Sequence, residues 1–344
     1  MQLSPIQHLD AVNQGQRPRC RFTARSAAQA RAWQARAGAA LWRCLKMDGH
    51  QRVPLAAREV QCVDRGTHLQ RKVVIQSTPF SSVPLYVLEP KGVQGRRPCV
   101  LALHGHGYGV NAIVGITEEG QYRDTPHGYQ QDFAVELVKR GFVVAAPEIC
   151  CFGEREEHYA HLPESSPRPS TCHNAATYAL MLGLTMTGLR VWDGMRVVDY
   201  LETLEVADAK RVGVMGISGG GMNAFFSACL DRRLQAAVIS GYFCDWRKSI
   251  LAINHCTCNF VPGLLRLGEL SDLAGLIAPR PTLIENGEHD PIFPIADVKH
   301  TVTRAGAAWK AFGERDRLDT DYFNDGHRIN GAKAYDFLAR WLEC

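Results

Sequence analysis

The chain has 344 residues, 46% of them hydrophobic and 22% charged, with a formal net charge of +4. Those are the values of an ordinary soluble globular protein, and at this length roughly three quarters of the unfolded surface can be buried. The charge is mild and forms no block, which argues against a nucleic-acid partner. No run of about 18 apolar residues suggests a membrane span. The first residues carry no charged segment followed by an apolar run, so a cytoplasmic location is expected. The 12 cysteines then read as reduced, half-buried small hydrophobes.

In chain order, the basic stretch RPRCRFTAR leads into an expected amphipathic helix over residues 22–47, with Trp33, Leu41, Trp42 and Leu45 at near-helical spacing. Short β-rich runs at 60–63, 72–76 and 83–88 suggest an antiparallel meander. From Cys99 the pattern changes. CVLAL and VVAAP are continuous apolar strands of the kind buried in a parallel sheet. Helical patterns at 129–142 and 191–204 alternate with them. RVGVM, AAVIS and PTLIENG are further strands, and a helix closes the chain. The expected fold is α/β, a mostly parallel sheet flanked by helices, with an N-terminal helix and β-meander extension. Residues 1–95 form that extension and 96–344 the core. Irregular segments at 108–128, 150–184 and 241–273 each follow a strand, so they crowd the carboxyl edge of the sheet, where ligands bind.

The turn Gly216-Ile217-Ser218-Gly219-Gly220 fits G-x-S-x-G, which presents a nucleophilic serine. Gly219 to Ala224 also fits G-x-G-x-x-A, which cradles a dinucleotide pyrophosphate. The cofactor reading requires an early strand and an acid at the end of the next one. Here the turn lies late in the chain, and residues 236–240 end without an acid. The serine reading requires a base and an orienting acid, because a hydroxyl is a poor nucleophile at neutral pH. Asp290 follows the strand PTLIENG, and His327 lies in a glycine-containing loop before the last helix. Their order after Ser218 is serine, acid, histidine. Glu285 belongs to the strand, Glu288 shares the loop of Asp290, and Asp316 sits in a solvated charged run. His255, His289 and His300 are less well placed than His327. An oxyanion site needs two N–H donors, and His106 and Gly219 are the candidates. His104, Gly105, Gly107 and Tyr108 of the same HGHGYG turn are candidate pocket residues, as are Glu154 and Arg155, for which an internal ion pair is the alternative.

These segments, from LHGHG through GVMGISGGG and APRPTLIENGEHDPIFP to DGHRINGAKAYDFL, resemble the α/β-hydrolase superfamily of serine hydrolases. The likeness runs from about residue 73 to the end. More narrowly, they are similar to bacterial carboxylesterases grouped near dienelactone hydrolases and acetyl-xylan esterases. The resemblance implies a triad of Ser218, Asp290 and His327, a short-chain or acetyl ester as substrate, and no metal or organic cofactor. Dienelactone hydrolases carry a cysteine at the nucleophile position, so other esters are implied. A serine peptidase is the nearest alternative, although residues 1–95 are too few for a β-propeller. A non-catalytic ligand-binding protein on the same fold is the other. The run His255-Cys256-Thr257-Cys258 holds three ligands together but no second cysteine pair. It is therefore expected to pack beneath the loops rather than bind metal, with Cys150, Cys151, Cys172 and His173 as the residues available to complete it. The expected partner is a small ester, and the N-terminal helix is a candidate surface for a homo-oligomer.

Overall fold

The computed structural model describes residues 3–157 and 171–344. The part of the expected irregular segment 150–184 between 158 and 170 lies outside the described residues. Three strands open a nine-stranded sheet: β1 (Arg58–Asp64), β2 (His68–Thr78) and β3 (Ser81–Pro90), paired antiparallel. Six more follow: β4 (Arg97–Leu103), β5 (Val143–Pro147), β6 (Ala207–Ile217), β7 (Leu234–Ser240), β8 (Thr282–Gly287) and β9 (Leu318–Phe323). Their spatial order is β1-β2-β3-β5-β4-β6-β7-β8-β9, and all pairs from β5 onward are parallel. Burial follows the sequence pattern. β5 and β8 are buried at every residue, whereas β2 alternates between buried and half-buried. β1, at one edge, is largely exposed and carries Arg58, Glu59 and Asp64; charge on an exposed edge discourages pairing with another chain.

Among the described residues the helices are α1 (Pro5–Gly15), α2 (Ala27–Cys44), α3 (Phe133–Lys139), α4 (Thr171–Met181), α5 (Met186–Leu201), α6 (Gly219–Leu230), α7 (Leu270–Leu273), α8 (Ile295–Phe312) and α9 (Ala334–Leu342). Leu41 of α2, Val197 of α5, Phe225 of α6 and Trp309 of α8 share one apolar core. Phe133 and Leu137 of α3 and Phe337 and Leu338 of α9 lie in the second. Among the described residues no helix is long and apolar enough to cross a membrane.

Three differences from the sequence reading have physical reasons. The helix expected from residue 22 begins at Ala27, because Ser26 caps it and accepts the Gln29 N–H at 3.4 Å. The helix expected from residue 129 begins only at Phe133. Gln131 and Asp132 adopt left-handed φ of 52° and 45°, a conformation that costs a non-glycine residue about 1 kcal/mol or more. The buried Asp132 carboxylate, clamped by Arg123, holds that kink. Finally, α8 was not expected: its buried stripe, Val298, Thr301, Ala305, Ala308 and Trp309, has helical spacing but is made mostly of alanine and threonine, a weak apolar signal.

Candidate active site

Ser218 stands between the end of β6 and the start of α6, with φ 57° and ψ −120°. A non-glycine residue held there costs about 1–3 kcal/mol, so the surroundings must fix it. They do so from both sides. The Ser218 N–H donates to the Ser240 carbonyl at the end of β7 (3.0 Å), and its own carbonyl accepts from Met222 N–H (2.9 Å). The neighbouring glycines make room for this turn. A Cβ on Gly216 would stand 2.3 Å from the Gly220 carbonyl oxygen, and one on Gly221 would stand 2.7 Å from that of Ser240.

His327 lies in the loop after β9. Its Nδ1 is 2.6 Å from Asp290 Oδ2. The other carboxylate oxygen of Asp290 accepts the N–H groups of Ile292 (2.8 Å) and Phe293 (3.1 Å). The Asp290 side chain is fully buried, so its orientation is set by three hydrogen bonds. The imidazole is held between the rings of Tyr129 (centroids 5.6 Å apart) and Phe293 (5.8 Å). His327 Nε2 is buried and has no partner among the described residues. Gly241 makes room for the ring next to the residue that anchors the serine turn. This residue directly follows Ser240, the acceptor of the Ser218 N–H, and a Cβ on it would lie 2.8 Å from His327 Cε1. Of the rival acids, Glu288 faces Lys299 at 3.6 Å, and Glu285 is buried inside β8.

Glu285 has a different consequence. Its Oε1 accepts the Ser240 hydroxyl (2.7 Å) and its Oε2 the Gly331 N–H (2.8 Å). Burial raises its pKa to about 7 from 4.5, outweighing the hydrogen bonds that lower it, with the Asp321 charge adding to the rise. The folded state therefore binds this proton more tightly than the unfolded chain. Stability from this group is present below about pH 4.5 and is lost as pH rises through about 7, by about 3 kcal/mol at most. Glu285→Gln is expected to remove that slope, which urea midpoints at pH 5 and pH 8 would measure against the unaltered chain. An unchanged slope would contradict the assignment.

The loop after β4 is built from His104 to Tyr108. His104 is buried, with Nδ1 2.8 Å from the Gly105 carbonyl oxygen, and its Nε2 accepts the Ile149 N–H at 3.0 Å. The Gly105 N–H donates to Gln130 Oε1 (2.6 Å), and the Tyr129 hydroxyl donates to the His106 carbonyl (2.5 Å). The His106 ring lies over Gly219, where a Cβ would be 2.9 Å from its Cε1 and Nδ1. Gly219 is the first residue of α6, so its N–H has no intrahelical acceptor. Gly107 has φ 142°, which favours glycine. Tyr108 accepts from Arg123 Nη1 at 2.8 Å. Arg155 is committed to an internal network: it donates to Asp193 (2.8 Å), the Glu148 carbonyl (3.1 Å) and Ser81 (3.1 Å). Glu154 pairs with Lys72 at 2.6 Å. These contacts pin the loop after β5, and Arg155 lines a cavity of about 1060 Å³ beside α4 and α5 that none of Ser218, Asp290 and His327 borders.

Tyr129, Gln130 and Phe293 carry no motif, and sequence reasoning passed over them. The first two sit in the kinked segment read as regular helix.

Comparison with known proteins agrees with the fold. The Abhydrolase family profile matches residues 3–312, a span that includes Ser218 and Asp290 and stops before His327. YtaP of Bacillus subtilis (strain 168), a candidate hydrolase by its name, is 26% identical over 301 residues, covering 85% of this chain and 94% of that protein. A candidate acetyl xylan esterase from Bacteroides fragilis superposes with a TM-score of 0.78 at 19% identity, over 94% of this chain and 83% of its own. A glucuronoyl esterase from Solibacter usitatus superposes with a TM-score of 0.63 at 14% identity, over 91% and 93%. The nine-stranded sheet with helices on both faces is the α/β-hydrolase fold, and the chain belongs to the Abhydrolase family.

Proposed function

We propose that this chain is a serine carboxylesterase acting on short-chain or acetyl esters of small molecules. Ser218 attacks the ester carbonyl, and His327 Nε2 takes its proton. Asp290 holds the imidazolium that forms. The N–H groups of His106 and Gly219 stabilise the oxyanion, each worth about 3–4 kcal/mol in the transition state. His327 then protonates the departing alcohol, and water, activated by the same nitrogen, releases the acid from the acyl-enzyme.

The observation that carries this reading is the state of His327. One ring nitrogen is fixed by a buried carboxylate, and the ring packs at Gly241, next to the Ser240 carbonyl that anchors the strained serine turn. The carboxylate on Nδ1 fixes the tautomer and leaves Nε2 as the proton acceptor, the arrangement a general base requires. The esterase names of the solved structures that share the fold support ester over amide substrates, and acetyl over long acyl groups.

The test is a series of p-nitrophenyl esters from acetyl to decanoyl, set beside an aminoacyl p-nitroanilide. Acetyl or propionyl ester is expected to give the highest kcat/KM. A maximum at decanoyl would overturn the short-chain assignment. Faster cleavage of the anilide would replace esterase by peptidase.

A further inference from the structure

We propose that His106, Cys172, Cys256 and Cys258 bind a structural zinc ion that ties together the loops following β4, β5 and β7. The four ligand atoms lie within 4.8 Å of one another. Four atoms around one tetrahedral zinc, at about 2.0–2.3 Å from it, stand roughly 3.5–3.8 Å apart. Closing the site thus needs shifts of about 1 Å or less, within reach of small changes in cysteine χ1. One pair is already at that spacing: His106 Nε2 is 3.8 Å from Cys258 Sγ.

The linear sequence argues against this site, because Cys256 and Cys258 are a single close pair. The fold supplies what is missing from two distant loops. Cys172, the second residue of α4, brings a third sulfur, and the ring of His106 brings a nitrogen. Two of the other residues considered from sequence are committed elsewhere: Cys150 Sγ donates to Asp193 (3.3 Å), and His173 Nδ1 bonds to Thr257 Oγ1 (2.8 Å).

The donor set selects the metal. Three thiolates and one imidazole in a tetrahedral arrangement suit zinc, and hard cations prefer oxygen. All four positions are filled by protein, so no coordination site is left for water and the role is structural. Each cysteine binds as thiolate, its proton passing to solvent, and His106 binds as neutral imidazole.

A second, independent observation supports the site. Arg190 is buried, and Nη2 points at Cys172 Sγ (3.1 Å) and at the Cys150 carbonyl (2.9 Å). Among the described residues its Nε and Nη1 have no hydrogen-bond partner, its guanidinium lies over the Phe152 ring (5.4 Å), and no carboxylate pairs with it. A buried guanidinium without a counter-charge is costly. A zinc ion with three thiolates and a neutral histidine carries a net charge of −1, which offsets Arg190. Asn259 Nδ2 adds an N–H to Cys258 Sγ at 3.4 Å; such outer-shell donors orient metal ligands.

The site lies under the proposed oxyanion loop, since the ring of His106 covers Gly219. Metal binding itself does not rest on the esterase reading. Protein produced in zinc-containing medium and purified without chelator is expected to retain about one zinc per chain, measured by plasma mass spectrometry after gel filtration. Cys172→Ser and Cys258→Ser are expected to lower the content roughly tenfold or more, and Cys62→Ser, at an exposed cysteine, to leave it unchanged. A misfolded variant loses metal trivially, so cobalt-grown unaltered protein supplies a second readout: visible bands of tetrahedral cobalt with sulfur-to-cobalt charge transfer. Zinc-free protein whose three cysteines all react with a thiol reagent would overturn the proposal. So would a disulfide among them, seen as an intact mass two hydrogens light. Neither readout requires ester hydrolysis, so failure of the zinc site and failure of the esterase reading are separable.

Discussion

Ser218→Ala is expected to lower kcat/KM for p-nitrophenyl acetate by on the order of 10⁴-fold or more. Alanine keeps the Cβ, so the strain at φ 57° is retained and the turn is unchanged. Only the attacking oxygen is lost. The residual rate would come from the oxyanion donors and from binding. A loss of this size corresponds to about 5.5 kcal/mol of transition-state stabilisation. Stability, in contrast, is expected to move by less than about 1 kcal/mol, because the backbone bonds to Ser240 and Met222 remain. Steady-state kinetics together with a urea titration separate the two. A serine that only shapes the turn would give the opposite pattern, with stability reduced and turnover preserved.

Gly220→Ala is expected to destabilise the fold by about 3–5 kcal/mol. Helix propensity alone would favour alanine by about 1 kcal/mol, so the sign depends on space. A Cβ at this position would stand 1.9 Å from the Leu103 carbonyl oxygen and 2.6 Å from that of His104. Both are backbone atoms at the end of β4, in the middle of the sheet, and they cannot swing aside as a side chain does. α6 would have to retreat, and Ser218 at its start would move with it. Thermal unfolding measures the first effect. A variant as stable as the original chain would show that α6 does not pack as described.

These two predictions mark where the sequence was informative. The serine turn was legible because its glycines, the strand before it and the helix after it form a local pattern. Asp290 was legible as a candidate because it follows the strand PTLIENG, and His327 because its glycine-containing loop leads into the last helix, both in the chain order that the serine requires. The antiparallel strands β1 to β3 and the buried parallel strands were legible from alternation and from continuous apolar runs. Other parts were not. α1 is short, and its apolar residues Ile6, Leu9 and Val12 are exposed and bury nothing against the core. β9 mixes Asp319 and Asp321 with apolar residues and is half-buried along its length. The segment 129–132 has a helical sequence, and only the ion pair between Arg123 and Asp132 and the contacts of Tyr129 and Gln130 with the β4 loop account for its kink. Convergence in space without spacing in sequence also hid the gathering of His106 and Cys172 with the Cys256 and Cys258 pair.

Position supports a division of labour around the sheet edge. His327 is carried by a loop after β9, but its ring is packed by Tyr129 from the segment before α3 and by Phe293 from the loop after β8. Gly241, after β7, leaves the space for it. Four separate connections therefore fix one imidazole, which is what a base requires if it is to meet its nucleophile within a few tenths of an ångström.

The most direct test of the serine-hydrolase claim is to treat the protein with a fluorophosphonate and locate the adduct by peptide mass spectrometry. The account predicts one phosphonylated residue, Ser218, and slow or absent labelling in His327→Ala, whose serine lacks its base. Labelling elsewhere, or labelling of Ser218 at the same rate in both proteins, would contradict it.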